Sequence, residues 1–186
     1  QNINNSSTIA IVPVTKNVGC VDGKTIQEFA GDLIFLAPDG FRTIAGTARI
    51  GDVELGTISK PIQPIVNKIL DSAFTYEFSS VVLRDKSQYR MYYSSSTQST
   101  ANSKGIIGTL TARGFEWSET LGIQAPAVAS GFNYAGREKM YHGDRGGYIY
   151  NHDTGNSFNP VGSETNISAE FQSPDFDYGD FGTLKT

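Results

Sequence analysis

Short apolar runs with polar alternation recur along the chain, separated by Gly, Asp and Asn, and helical periodicity is nearly absent. A period of two places successive side chains on opposite faces of a pleated strand, so the pattern predicts an all-β fold of the sandwich, barrel or propeller kind. Strands are expected at 8–14, 25–29, 33–37 and 41–45. Between the last two, Pro38-Asp39-Gly40 predicts a hairpin, because Pro presets φ at the first central turn position and Gly accepts positive φ later. A second group is expected at 75–83, 88–93, 105–111 and 114–118, followed by 126–130, 139–142, 147–151 and 166–172. Gly143-Asp144-Arg145-Gly146 marks a turn between two of the last strands.

Two stretches depart from this pattern. In residues 58–70, Ile58, Ile62, Ile65 and Ile69 share one helical face, while Pro61 and Pro64 forbid a helix through the whole segment. A helix of one or two turns starting near Pro64 is the expectation, since Pro is accommodated in a first helical turn. Residues 94–104 have no apolar side chain larger than Ala and predict a solvated loop. Both stretches are expected to contact neighbouring subunits.

Three hairpins share one plan, an apolar strand, a Gly-containing turn and an aromatic or β-branched return strand. Their return strands start near Gly40, Gly105 and Gly147. The second interval, about 42 residues, matches the roughly 40 to 45 residues of a four-stranded propeller blade. The first, about 65, carries the extra segment 58–70. The chain therefore divides into 1–57, the end of one blade plus a first full blade; 58–70, an insertion; 71–116 and 117–160, a second and third blade; and 161–186, the start of a further one. The small-residue run at 125–131 suits an innermost strand, where space beside the axis is limited. The expected fold is thus part of a β-propeller with four-stranded antiparallel blades; a β-sandwich or jelly roll is the alternative. A chain of 186 residues beginning at Gln1 and holding about four blades is expected to be a piece of a longer polypeptide.

Composition agrees with β structure: Tyr and Phe supply 20 of the 21 aromatics, beside 20 Gly and seven Pro. Fifteen Lys and Arg against 19 Asp and Glu give a net charge of −4, which offers no broad field for attracting phosphates. The single Cys20 excludes an intrachain disulfide framework and a multi-cysteine zinc site. No run approaches the roughly 18 to 20 apolar residues of a membrane helix, and QNINNSST has no basic region followed by an apolar one.

The stretches GDLIFLAPDGFRTIAGT at 31–47 and GDVELGTISKPIQPI at 51–65 resemble segments of β-propeller proteins in phage tails, the tail nozzle or tail tubular family of short-tailed phages. Arg137 to Asp144, Gly147-Tyr148-Ile149-Tyr150, Asp153 to Phe158, Ile167 to Glu170 and Asp177-Tyr178-Gly179-Asp180 are similar to the closing blade region of that family. The resemblance implies a structural virion component of the tail. Its place would be the nozzle ring through which the genome is ejected. It implies copies of itself as partners, together with neighbouring tail, portal-adaptor or fibre proteins. It carries no catalytic residues. An acidic channel would let DNA pass without specific binding, and the isoelectric point near 5.1 is compatible with that.

His142, Asp144, His152 and Asp153 fall on one predicted hairpin but lack helical zinc spacing and an accompanying Cys. Asp144 and Asp153 are read as turn formers, and the histidines as surface or interface residues. Asp175, Asp177 and Asp180 could offer calcium oxygens, yet the late Glu and flanking helices of an EF-hand are missing. Asp85, Glu116, Glu119 and Glu170 are read as solvated strand positions rather than glycosidase carboxylates. Tyr89, Tyr92, Tyr93, Phe115, Trp117, Tyr148 and Tyr150 are read as packing residues rather than a stacking face. No catalytic, cofactor-binding or metal residue is therefore assigned, no cofactor is expected, and the protein is read as a non-enzyme. The rival reading is a carbohydrate-binding or glycoside-processing propeller at a cell surface.

Overall fold

The computed structural model describes residues 18–45, 57–95, 97, 103–155, 157–158 and 165–166. The expected strand 8–14, the clusters at 175–180 and most of 166–172 lie outside them. The chain divides into two units, Gln1–His152 and Asp153–Thr186. In the second, β11 (Ser157–Phe158) and β12 (Thr165–Asn166) form an antiparallel pair.

In the first unit, three antiparallel sheets follow one another along the chain. The first holds β1 (Gln27–Phe29), β2 (Asp32–Ala37) and β3 (Gly40–Thr43). The second holds β4 (Tyr76–Leu83), β5 (Gln88–Ser95), β6 (Lys104–Thr111) and β7 (Gly114–Leu121). The third holds β8 (Ala127–Phe132), β9 (Glu138–Gly143) and β10 (Ile149–Asn151). Each strand pairs with the next, and no sheet closes on itself. The fold class is all-β. One sheet has the four strands expected of a blade; the first and third have three each among the described residues. The first gains an isolated bridge, Arg42 to Thr57, beyond β3.

The three hairpins read from the sequence are β2–β3, β5–β6 and β9–β10, and each forms the second and third strands of its sheet. At the first, Gly40 has φ +139°, and a Cβ there would meet Ser59 Oγ and Thr57 Cγ2 at 2.5 Å. The turn is pinned by its Asp. Arg42 Nε donates to Asp39 Oδ1 at 2.9 Å, and Gln63 Nε2 donates to the Asp39 carbonyl at 3.0 Å. The hydrogen-bonded Arg42 guanidinium holds the Asp39 carboxyl below the usual carboxylate range.

Residues 58–70 form more regular structure than expected. A 3₁₀ turn, Lys60–Ile62, leads into α1 (Gln63–Asp71), nine residues long. Pro61 and Pro64 sit in the first turns, where no intrahelical N–H is needed, so the helix starts beside Pro64 as expected and runs slightly longer. Val66 and Ile69 are buried, and Ile58, Ile62, Ile65 and Leu70 pack around them. The apolar face of this segment therefore joins the chain's own core, which leaves only its polar face for a neighbour.

The second sheet is covered on both sides. Phe78, Val82, Tyr89, Met91, Tyr93 and Ile106 face the first sheet and α1, where they join Phe29, Ile34, Leu36 and Phe41. Val81, Leu83 and Tyr92 face the other way, onto Met140 and Ala125. Alternate residues supply the two faces, as the cross-strand pairs Phe78–Tyr93 and Ser79–Tyr92 require. Burial falls across the sheet: β4 and β5 are buried over most of their length, β6 in part, and β7 is mostly exposed or half-buried.

First strands of successive sheets lie against each other. β4 touches β1 on one side and β8 on the other. Gln27 Nε2 donates to the Ser80 carbonyl at 3.0 Å, Ser130 Oγ donates to the Val82 carbonyl at 2.9 Å, and Ser79 Oγ donates to the Ala125 carbonyl. Small hydroxyl side chains on β4 and β8 permit this close approach while satisfying carbonyls that the sheets leave unpaired.

Candidate functional site

The inner face of the third sheet carries the densest group of polar and titratable side chains. Its register places Val128 beside His142 and His142 beside Tyr150, so His142 and Tyr150 share a face. That face is turned toward the second sheet, and His142 is only 4% exposed. The Tyr150 ring stacks on it with centroids 4.8 Å apart. His152, one residue past the end of β10, brings its Nε2 to 2.5 Å from His142 Nδ1. Its amide donates to the Met140 carbonyl at 2.9 Å, which fixes the backbone that carries the ring. From β5, the Tyr92 ring lies 5.9 Å from the His152 ring.

Asp144 braces the turn beneath this group. Its Oδ1 accepts from the Tyr148 amide at 2.9 Å, and its Oδ2 accepts from the Tyr150 hydroxyl at 3.2 Å. Burial pushes the His142 imidazole toward its neutral form, below the usual histidine range, and the Asp144 charge only partly opposes this. Burial, helped by Asp144, pushes the Tyr150 phenol up. An imidazole pair joined in this way holds one proton in the shared bond and titrates as a unit.

The chain matches no protein-family model and no curated protein.

Of the four residues weighed for metal, His142 and His152 come together, and Asp144 is tied to Tyr148 and Tyr150. The sequence places the histidines at surface or interface positions; within the chain His142 is buried, turned inward by the hairpin register. Asp153 belongs to the second unit, at φ +57°. Among the described residues, no three His, Cys, Asp or Glu side chains gather closely enough to hold a metal ion. Glu116 and Glu119 sit on opposite faces of β7; Glu119 pairs with Lys104 at 3.3 Å, and Glu116 accepts from the Thr111 hydroxyl at 3.3 Å. Asp175, Asp177, Asp180 and Glu170 lie outside the described residues.

Asp85 meets a carboxylate that the sequence did not single out. Its amide donates to Glu138 Oε2 at 2.9 Å, while the Glu138 amide donates to Asp85 Oδ2 at 3.2 Å. This reciprocal clasp ties the β4–β5 turn to β9. Tyr89, Tyr92 and Tyr93 are buried, and Phe115 and Trp117 pack against the larger core. Trp117 Nε1 donates to the Ile58 carbonyl at 3.1 Å, so its polar end is occupied. Tyr148 stays about half exposed at the hairpin.

Proposed function

We propose that this chain is a structural part of a virion, a propeller-type segment of a phage tail nozzle ring, and that it works by packing rather than by catalysis. The observation that carries the reading is the covering of the four-stranded sheet on both faces by its neighbours in sequence, with first strands adjacent and burial falling from β4 to β7. Blades around an axis have this anatomy: inner strands crowd together and outer strands meet solvent. The three hairpins at equivalent positions support a repeated unit. The resemblance of 31–47, 51–65 and the short stretches 137–144, 147–150, 153–158, 167–170 and 177–180 to tail nozzle proteins supports the virion setting.

Partners in this reading are further copies of the chain and adjacent tail, portal-adaptor or fibre proteins. The outer face of the third sheet, with Ala127, Ala129, Tyr141 and Ile149, is exposed and apolar, with Ile149 78% exposed. A ring can bury such a face between copies. DNA would pass the ring without specific contacts, in keeping with the net charge of −4. Among the described residues no helix is long and apolar enough to cross a membrane.

Sedimentation of the native protein over a range of concentrations tests this. The expected result is a discrete species at a whole multiple of the mass of the native polypeptide. A species of single-chain mass at every concentration, together with turnover of oligosaccharide substrates, would instead establish the glycoside-processing alternative.

A further inference from the structure

The histidine pair has a property beyond packing. We propose that His142 and His152 form a proton-sharing latch that holds β10 and the residue after it onto the sheet, and that a second bound proton opens it. The inference rests on the geometry of the third sheet and is independent of the tail reading.

In the neutral pair, one ring's N–H donates to the other ring's lone pair across the 2.5 Å contact. One added proton can enter at a nitrogen pointing away from that contact. The shared bond then joins an imidazolium to an imidazole and becomes charge-assisted, so the latch holds. A second added proton places an N–H on both facing nitrogens. No acceptor remains, two like charges face each other, and the bond is lost.

The surroundings sharpen the response. In the turn between β9 and β10, Asp144 is engaged by Tyr148 and Tyr150, and Tyr150 stacks on His142. From β5, the Tyr92 ring faces His152, and the buried Arg90 donates to Met140 Sδ at 3.7 Å, two residues from His142 along β9. Burial of His142 opposes a charge on its ring, and the Asp144 charge only partly offsets this. Once the pair separates, the His152 amide bond to the Met140 carbonyl has lost the side-chain tether beside it.

Hydrogen exchange of the His152 and β10 amides, corrected for intrinsic rates, tests the latch between about pH 7.5 and about pH 4.5, the range in which imidazoles charge. Protection is expected to hold with the first proton and to fall about tenfold or more with the second, while β4 and β5 stay protected. His152→Gln, which keeps a donor and an acceptor but cannot charge, should remove the step without unfolding the sheet. Nitrogen-15 imidazole spectra of the unmodified protein should show two separated titrations. Protection that stays flat in the unmodified protein, or an equal step in His152→Gln, overturns the proposal. So does protection at about pH 7.5 that requires added Zn²⁺ and is lost with chelator, which would make the pair a metal site.

Discussion

Phe41→Ala is expected to lower the free energy of unfolding by about 3–5 kcal/mol. Phe41 is fully buried at the junction of the first sheet, the second sheet and the segment leading into α1. Its ring stacks on Trp117 with centroids 5.0 Å apart and meets Tyr89 edge-on at 5.7 Å. Its backbone is held as well, the amide by Ser59 Oγ at 3.0 Å and the carbonyl by the Ile58 amide at 2.9 Å. The void would be walled by three elements, each fixed by hydrogen bonds, and so could collapse little. Urea unfolding followed by Trp117 fluorescence measures the effect. Leu121→Ala, at a 61% exposed position, should stay within about 0.5 kcal/mol of the parent. Similar losses in the two variants would contradict the assigned core.

Gly105→Val is expected to lose about 3 kcal/mol or more, through crowding rather than a cavity. Gly105 lies on β6 between Tyr92 of β5 and Thr120 of β7. A Cβ there would sit 2.8 Å from Tyr92 Cδ1, 2.8 Å from Thr120 Cγ2 and 2.9 Å from the Met91 carbonyl oxygen. The third contact is backbone and cannot swing aside, so the β5–β6 pairing must shift. Tyr92 also touches His152, which makes looser packing at the histidine pair a second consequence. Gly131→Ala provides the contrast, since an added Cβ on β8 meets nothing within 4 Å. Equal thermal midpoints for the two variants would show that the β5–β6 register is misassigned.

Much of the fold is legible in residue pattern. The runs that became β4 and β5 put large apolar or aromatic side chains on both faces, Phe78 and Val82 on one and Val81 and Leu83 on the other, because both faces are covered, and the Pro38-Asp39-Gly40 turn states its own chemistry. The facial spacing of Ile58, Ile62, Ile65 and Ile69 marks a helix, and Pro64 marks its first turn. The helix starts there and runs nine residues, slightly past the two turns expected. The histidine pair was hidden because it depends on register. His142 opposes Tyr150 only once the turn is centred near Gly146, and His152 then reaches back from just past the strand end. Two histidines ten residues apart around a Gly-Asp-Arg-Gly turn were the available signal. Glu138 was missed for a similar reason, since its partner Asp85 lies on another sheet. Nothing local announces such a clasp.

The most direct test of the central claim is a three-dimensional reconstruction of the assembled particle by electron cryomicroscopy. The account predicts a ring in which the three sheets succeed one another around an axis, with β1, β4 and β8 on the inside and β7 on the rim. A closed two-layer sandwich with β7 buried at its centre, or an isolated single chain, would contradict it.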